Sequence, residues 1–252
     1  MTISLDFSGK RVWVTGAGQG IGYQTALAFS EAGADVVGLD RRFAGDGYPF
    51  RTQLLDITDA PQVERVCRAL LEENPRLDVL VNGAGILRTG ATDSLDLQDW
   101  QDCMAVNAGG AFNLFRHTLP VFRRQRAGAI VSIASNAAHV PRVGMSAYCA
   151  SKAALRSLCM TVGLEMAPFG VRCNLVSPGS TDTPMQRGLW QSADAEQRTI
   201  AGFPGQFKLG IPLGKIARPR EIADAVLFLA SEHAGHITLQ DIVIDGGATL
   251  AA

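Results

Sequence analysis

Short strand-like runs alternate with helix-like stretches along the whole of this 252-residue chain. The strand candidates are almost continuously apolar and lie at residues 11–15, 35–39, 78–81, 129–133, 171–176 and 241–245. Apolar residues at helical spacing fill the intervening stretches at residues 23–32, 60–73, 97–124, 147–167 and 219–231. Strands buried on both faces and joined through helices form a parallel sheet that is covered on each side. The pattern therefore predicts an α/β fold, a doubly wound parallel sheet of Rossmann type with helices on both faces.

Two stretches depart from this alternation. Residues 41–51 carry no helical periodicity, which predicts a loop in place of one crossover helix. Residues 181–213 are rich in Gly, Pro and Gln and lie between a strand end and the last helix. Insertions at such positions often close over a bound ligand, so we expect a substrate lid there. The sequence contains no linker, repeat or low-complexity segment, and we expect a single dinucleotide-binding catalytic domain over residues 1–252.

The balance of charge excludes several classes of function. Lys and Arg number 23 against 24 Asp and Glu, so the chain has no positive excess to hold a nucleic acid backbone or an acidic membrane surface. Hydrophobic residues make up 47% of the chain and charged residues 19%, which is enough apolar material for a core. Intrinsic disorder is therefore excluded, and we expect neither nucleic acid nor membrane as a partner.

The cysteines and the terminal segment indicate the compartment. Five cysteines form no C-x-x-C pair, and their odd number does not fit a disulfide framework, so we expect reduced, core-filling thiols. The first ten residues contain Asp6 and lack the apolar run of a signal peptide, and no apolar run reaches the length of a membrane span. We therefore expect a cytoplasmic protein. His233 and His236 have no third ligand at metal-site spacing, so no metal site is expected.

A glycine-rich turn connects the first strand to the first helix. It reads Thr15-Gly-Ala-Gly-Gln-Gly-Ile-Gly22. Glycines at this place let the backbone approach a diphosphate, and the N-terminus of the helix attracts its negative charge. The turn therefore predicts a dinucleotide site, with Gly16, Gln19, Gly20 and Ile21 against the cofactor.

The ends of the next strands complete an adenosine site. Asp40 ends the second strand, where a carboxylate hydrogen-bonds the ribose hydroxyls and repels a 2′-phosphate. This favours NAD, although Arg41 and Arg42 leave NADP open. Ligands of doubly wound sheets bind outside the carboxyl ends of the strands. We therefore expect further cofactor contacts from two places that adjoin strand ends: Asp56 and Ile57, and the residues Asn82, Ala84 and Gly85 after the strand candidate at 78–81.

A tyrosine and a lysine lie four residues apart on one predicted helix. Tyr148 and Lys152 therefore share a helix face, and an ammonium beside a phenol favours the phenolate and lowers the phenol pKa. Such a tyrosine can act as a base near neutral pH. Ser135 lies just beyond a strand end, thirteen residues before Tyr148, and Asn107 lies within the preceding long helix.

These motifs resemble, in order and spacing, those of the short-chain dehydrogenase/reductase family over essentially the whole chain. The resemblance implies that Tyr148 is the general base, that Ser135 holds the reacting oxygen, and that Lys152 binds the nicotinamide ribose. Asn107 would hold a water in a proton relay. The resemblance also implies a homotetramer, and contacts to the nicotinamide carboxamide and diphosphate from the Pro-Gly motif and the threonines after it, Pro178, Gly179, Thr181 and Thr183.

Further stretches resemble one branch of that family. They include His139-Val-Pro-Arg-Val-Gly-Met-Ser-Ala-Tyr148 and the run from Gln206 to Pro219, neither of which the fold requires. That branch oxidises a small anionic cyclohexadiene diol to a catechol in siderophore biosynthesis. A carboxylate on the substrate calls for a cation, ideally a guanidinium. The substrate candidates near the pocket are Ser135, Arg88, Arg142, Gln186 and Arg187.

Two other interpretations of these motifs stay open at this point. One is an NAD(P)-dependent enzyme for another small alcohol or a 3-oxoacyl substrate. The other is a non-catalytic NAD-binding scaffold. The complete set of Asn107, Ser135, Tyr148 and Lys152 disfavours the scaffold, because a protein that only binds NAD does not need a base with a cation one helical turn away.

Overall fold

Seven strands form one parallel sheet in the computed structural model, which describes residues 5–250. Their order across the sheet is β3-β2-β1-β4-β5-β6-β7. The strands are β1 (Arg11–Thr15), β2 (Asp35–Asp40), β3 (Arg51–Leu54), β4 (Val79–Asn82), β5 (Gly128–Ile133), β6 (Val171–Pro178) and β7 (Asp241–Ile244). The strand order reverses between β1 and β4, which is the point where doubly wound sheets open a crevice for ligands.

The sheet lies between two layers of helices. The helices are α1 (Gly20–Glu31), α2 (Ala60–Glu73), α3 (Leu97–Met104), α4 (Gly110–Gln125), α5 (Ser146–Met166), α6 (Pro184–Arg187), α7 (Ala195–Ala201) and α8 (Pro219–Ala230). The side chains of β1 show why both layers are needed. Trp13 packs into a core with residues of α2, α4 and α5, whereas Val12 and Val14 pack with residues of α1 and α8. The predicted fold is confirmed.

The long helix expected over residues 97–124 is present but interrupted. A π-helical turn, Ala105–Gly109, separates α3 from α4, and Asn107 is its buried residue. Such turns insert one extra residue into a helix and occur often at functional sites. The apolar spacing of the sequence continues through the insertion and gave no sign of it.

The irregular stretch after β2 is a loop, as predicted. Its aromatic side chains pack against α1, with the Tyr48 ring centroid 5.0 Å from that of Phe43 and 5.7 Å from that of Tyr23. Phe50 packs on β2, where a Cβ on Gly38 would lie 2.5 Å from its ring. Aromatic packing thus takes the place of a crossover helix beside β2.

The segment expected to be a lid contains local structure of its own. Helices α6 and α7 lie within residues 181–213, followed by a 3₁₀ turn, Pro204–Gln206. All five cysteines carry unpaired thiols, of which Cys149 is half-buried and the others are buried. None of the helices between residues 5 and 250 is long and apolar enough to cross a bilayer.

Candidate active site

A cleft of about 840 Å³ opens at the carboxyl ends of the central strands. The catalytic candidates Ser135, Tyr148 and Lys152 line it, and so do the substrate candidates Arg88, Arg142 and Gln186. Of the residues expected at the cofactor, all but Asn82 line it as well: Gly16, Gln19, Gly20, Ile21, Asp40, Asp56, Ile57, Ala84, Gly85, Pro178, Gly179, Thr181 and Thr183. Over the described residues, no three His, Cys, Asp or Glu side chains are grouped to hold a metal ion.

The glycine-rich turn lies close to the chain that follows β4. Gly16 has a φ of +71°, and a Cβ there would lie 2.8 Å from the backbone of Ala84. Thr15 Oγ1 accepts hydrogen bonds from the backbone N–H groups of Gly83 and Ala84, at 3.0 and 3.2 Å. The turn and the β4 end therefore form one rigid wall, and α1 begins at Gly20 with its N-terminus at the cleft.

Asp40 is fixed beside this wall. Its Oδ2 accepts a 2.9 Å hydrogen bond from the backbone N–H of Gly18, and its Oδ1 accepts one of 3.2 Å from that of Arg42. A Cβ on Gly18 would come within 2.5 Å of the Arg42 carbonyl oxygen, so only glycine allows this approach. The carboxylate is thus held beside the glycine-rich turn, at the edge of the cleft.

Tyr48 is a residue beside the glycine-rich turn that sequence reasoning missed. Its hydroxyl donates a 2.9 Å hydrogen bond to the Gly18 carbonyl and accepts one of 3.1 Å from the backbone N–H of Ala44. The residue ties the loop after β2 to the glycine-rich turn. The signal in the sequence was three aromatic residues within a loop otherwise rich in Gly and Pro.

Asn82 does not line the cofactor cleft, which corrects the expectation for this residue. As the last residue of β4 it turns its side chain into the sheet, where its Nδ2 donates a 2.9 Å hydrogen bond to Ser132 Oγ of β5. Asp56, in contrast, faces the cleft. Its Oδ1 accepts hydrogen bonds from the N–H and the hydroxyl of Thr58, which hold the pKa of the Asp56 carboxyl below its usual value.

Ser135, Tyr148 and Lys152 converge on one point of the cleft. Lys152 Nζ donates a 2.9 Å hydrogen bond to the Ile133 carbonyl and lies 5.8 Å from the centroid of the Tyr148 ring. The neighbouring hydroxyl of Ser135 lowers the phenol pKa of Tyr148, opposing the larger effect of burial. The end of β5 and one face of α5 thus bring a hydroxyl, a phenol and an ammonium together.

Burial dominates the ionisation of this group. It raises the pKa of Tyr148 to about 12, the opposite of the direction expected from its lysine neighbour. It also lowers the pKa of Lys152 to about 8. The physical reason is that the charged form of each group loses its water in the protein interior. Any proton transfer at Tyr148 therefore depends on further charge brought into the cleft.

Asn107 lies behind the cleft and has a positioning role in the structure. The Ile86 N–H donates to Asn107 Oδ1 at 2.8 Å, while Asn107 Nδ2 donates to the Ile86 carbonyl at 3.0 Å and to Ser151 Oγ at 2.8 Å. Ser151 in turn donates to the Tyr148 carbonyl at 2.9 Å. Asn107 thereby joins the chain after β4 to the turn of α5 that carries the tyrosine. Its role in holding a water stays a prediction.

Two of the three candidate arginines are already paired with acids. Arg88 Nε lies 2.8 Å from Asp99, and its Nη2 lies 3.9 Å from Asp102. Arg187 does not line the cleft and makes a bidentate ion pair with Asp182, at 2.6 and 2.8 Å. Arg187 is thus turned away from the cleft, which corrects the expectation for it. Arg88 lines the cleft with its guanidinium paired to acids, and its role in substrate binding stays a prediction.

Of the three candidate arginines, Arg142 is the one that lines the cleft without an acidic partner among the described residues. Within residues 5–250, no carboxylate lies at ion-pair distance from its guanidinium, and burial lowers its pKa. Lys208 lines the same cleft, and sequence reasoning missed it. The only feature of the sequence that could have indicated Lys208 is its position in the stretch from Gln206 to Pro219, which the fold itself does not require.

The start of the segment expected to be a lid rests against the glycine-rich turn. Thr181 is buried and donates a 3.1 Å hydrogen bond to the Gly179 carbonyl. Thr183 caps α6 by accepting from the Gln186 N–H, and its Cγ2 lies 3.4 Å from where a Cβ on Gly20 would be. Both threonines line the cleft, and Thr183 lies beside the glycine-rich turn.

The sequence matches a family model and curated relatives over nearly its whole length. Residues 16–249 match a model described as Enoyl-(Acyl carrier protein) reductase. The chain is 68% identical over 248 residues to the 2,3-dihydro-2,3-dihydroxybenzoate dehydrogenase of Escherichia coli (strain K12), covering 98% of this chain and all of that protein. It is 40% identical to the enzyme of the same name from Bacillus subtilis (strain 168), covering 96% of this chain and 97% of that protein.

A solved structure has the same fold. A short-chain type dehydrogenase/reductase from Mycobacterium marinum is 33% identical and superimposes with a TM-score of 0.85. The match covers 98% of each chain.

Proposed function

The chain belongs to the short-chain dehydrogenase/reductase family, and we propose that it oxidises 2,3-dihydro-2,3-dihydroxybenzoate to 2,3-dihydroxybenzoate with NAD, in the biosynthesis of a catechol siderophore. The observation that carries the proposal is the 68% identity to the Escherichia coli enzyme from one end of the chain to the other. The cleft supports it, because a hydroxyl, a phenol and an ammonium converge there beside an arginine that has no acidic partner among residues 5–250.

The residues of the cleft fit a nicotinamide dinucleotide. The backbone at Gly16 and Gly18 leaves no room for a Cβ, and the N-terminus of α1 points at the space beside it. These residues would hold the diphosphate, Asp40 the adenosine ribose, and Lys152 the nicotinamide ribose. When bound, the cofactor accepts a hydride, and its oxidised ring brings a positive charge toward the catalytic group. The Asp40 carboxylate favours NAD, because it repels a 2′-phosphate.

The catalytic residues remove a proton from the substrate alcohol. Ser135 Oγ holds the oxygen of the C3 hydroxyl, and the deprotonated Tyr148 oxygen takes its proton while the C3–H bond gives up a hydride. The C–O bond becomes a carbonyl, and the ring then tautomerises to the catechol, which draws the reaction toward oxidation. Lys152 stabilises the phenolate through its positive charge. Asn107 keeps α5 in register by its bonds to Ile86 and Ser151.

Turnover of the diol acid tests the proposal directly. The assay follows NADH formation from 2,3-dihydro-2,3-dihydroxybenzoate and NAD, beside reactions with NADP, with a neutral cyclohexanediol and with a 3-oxoacyl thioester plus NADH. We expect turnover of the diol acid with NAD to exceed that of every other pair by at least about a hundred-fold, because the site's polar groups match that substrate. Faster turnover of the thioester or of the neutral diol would instead support the other substrate class.

Replacement of Asp40 tests the cofactor preference. In Asp40→Ala we expect the ratio of kcat/KM with NAD to that with NADP to fall by about a hundred-fold, because a charged hydrogen bond to the ribose is lost and repulsion of a phosphate is relieved. Asp40→Asn separates this role from the backbone contacts at Gly18 and Arg42, because the amide oxygen can still accept one of those bonds. The exposed Asp46 of the same loop provides the control, Asp46→Ala. An unchanged ratio in both Asp40 variants would remove the residue from cofactor selection.

We further propose that the protein works in the cytoplasm as a homotetramer and that residues 181–213 close over the substrate. Exposed apolar side chains on α4 and α5 support the assembly: Phe112 is 51% exposed and Leu164 is 65% exposed. Apolar side chains of that size on the surface of a helix fit a contact with another subunit.

A further inference from the structure

Lys208 is held in a fixed place at the edge of the cleft. Phe203 and Lys208 face each other across the turn Pro204–Gln206: the Phe203 N–H donates to the Lys208 carbonyl at 2.8 Å, and the Lys208 N–H donates to the Phe203 carbonyl at 3.2 Å. The Lys208 Nζ lies 5.3 Å from the centroid of the Phe203 ring, a distance at which cation and ring attract. The ammonium therefore has a defined position at the cleft.

Lys208 and Arg142 face the same cleft as like charges. Both line it together with Tyr148, and between residues 5 and 250 no carboxylate lies within 4.0 Å of either cation. Burial lowers the pKa of Lys208, and the charge of Arg142 lowers that pKa further. Two cations that repel each other in a partly buried site lack the counter-ion that would stabilise them both.

Asp245 is the carboxylate whose charge raises the pKa of Arg142, but its oxygens already accept hydrogen bonds from other groups. The donors are Asn136 Nδ2 at 3.1 Å, Thr249 Oγ1 at 2.7 Å and the Gly247 N–H at 3.0 Å. It therefore binds the C-terminal segment and does not neutralise the two cations. The site keeps a positive charge facing the catalytic group.

The two cations belong to different parts of the molecule. The Arg142 carbonyl accepts a 3.2 Å hydrogen bond from the Met145 N–H, so Arg142 is fixed to the start of the helix that carries Tyr148. Lys208 lies on the turn between α7 and α8. A planar anion with two oxygens, placed between them, would neutralise both and join this turn to the catalytic helix.

We propose that Lys208 is a second substrate-binding residue and that it holds the carboxylate of the substrate jointly with Arg142, one oxygen to the ammonium and the other to the guanidinium. This inference rests on the proposed function, whose substrate is a carboxylated diol. The pair selects substrates with an acid group beside the reacting diol.

Paired substrates with and without the carboxylate test this inference. Lys208→Met, Arg142→Met, the double variant and Lys208→Arg are assayed at saturating NAD with the carboxylated diol and with the neutral cyclohexadiene diol. We expect Lys208→Met to raise KM for the carboxylated diol by about ten-fold or more, with less effect on kcat, because a charge-assisted hydrogen bond is lost. KM for the neutral diol stays within about two-fold, and Lys208→Arg retains most of the affinity because it keeps the charge.

The control is Lys215→Met, a lysine outside the cleft that pairs with Glu221 on the surface. It leaves both KM values unchanged. If Lys208→Met changes KM for the two diols equally or not at all, the inference is wrong while the proposed function stands. Lys208→Gln, a polar side chain of similar length, gives the same comparison if the Met variant does not fold.

A binding measurement separates this inference from the proposed function. If the wild-type protein oxidises neither diol, the proposed function fails, and titration of the NAD complex with salicylate still tests the two cations. Salicylate binding that is weakened about ten-fold by Lys208→Met and unchanged by Lys215→Met supports the site. No salicylate binding by the wild type, or equal binding by wild type and Lys208→Met, overturns it.

Discussion

Replacement of Tyr148 by Phe is expected to lower kcat for oxidation of the diol acid by about 10³-fold to 10⁴-fold, the upper part of the range for a general base. The variant keeps the ring and loses only the oxygen that takes the substrate proton. Because Lys152 Nζ is held by the Ile133 carbonyl and not by the phenol, we expect the geometry of the ammonium to be kept. Steady-state kinetics gives kcat, and fluorescence titration with NADH is expected to give an unchanged dissociation constant.

Tyr23→Phe provides the matched control. Tyr23 lies on α1, packs against Tyr48 and Phe50, and does not line the cleft. Loss of its hydroxyl is expected to leave kcat within about two-fold, because no catalytic contact is removed. If Tyr148→Phe kept kcat within ten-fold of the wild type, Tyr148 would not be the base. If the wild type itself showed no turnover with any substrate, the interpretation of the chain as an NAD-binding scaffold would gain support.

Replacement of Lys152 by Met is expected to produce the second large effect, a loss of about a hundred-fold in kcat/KM near pH 7.5. The ammonium lies 5.8 Å from the ring of Tyr148, and an interaction of unit charges at that distance is worth about 3 kcal/mol at an effective dielectric constant of about 20. Methionine fills nearly the same buried volume without the charge. The variant also leaves the Ile133 carbonyl without the ammonium donor, so thermal unfolding of the two proteins is measured alongside to separate a loss of stability from the loss in catalysis.

The pH profile distinguishes an electrostatic role of Lys152 from a merely structural one. The active form needs a charged Lys152, with a pKa of about 8, and an ionised Tyr148, with a pKa of about 12. Below pH 8 the lysine stays charged while the phenolate fraction rises ten-fold for each pH unit, so kcat/KM rises with a slope of one. Above pH 8 the gain in phenolate is cancelled by the loss of ammonium, and kcat/KM becomes flat.

In Lys152→Met the inflection near pH 8 is expected to disappear, so that kcat/KM continues to rise with pH. A parallel profile in both proteins, lowered by a constant factor, would contradict the electrostatic role. Lys152→Arg, which stays charged over this range, is expected to remove the inflection as well, while it retains more activity than the Met variant.

Part of the site followed from the sequence because the required chemistry is local. The turn from Thr15 to Gly22 needs glycine at fixed positions because of its backbone conformation. Gly16, for example, has a positive φ that other residues rarely adopt. Tyr148 and Lys152 share a helix face by spacing alone. The strands could be predicted because β1, for example, is buried on both faces and must be apolar throughout.

Other residues depend on partners that are distant in sequence. Nothing in the sequence distinguishes Arg88 from Arg142 as the residue that would bind a substrate carboxylate. In the structure Asp99 on α3 forms an ion pair with Arg88, whereas no described carboxylate pairs with Arg142. Asn82 turns into the sheet because Ser132 lies beside it on β5, fifty residues away. Spacing along the chain carries no information about either pairing.

The sequence by itself determined the doubly wound sheet, the glycine-rich turn at its first strand end, and the set of hydroxyl, phenol and ammonium that the family resemblance implies for catalysis. These depend on periodicity and on neighbours within one helical turn. Only the tertiary structure decided which cations line the cleft and that Asn107 hydrogen-bonds Ile86 and Ser151 behind it. The tertiary structure also decided that burial raises the pKa of Tyr148. Solvation and ion pairing depend on every element packed around a group, and those elements meet only when the chain has folded.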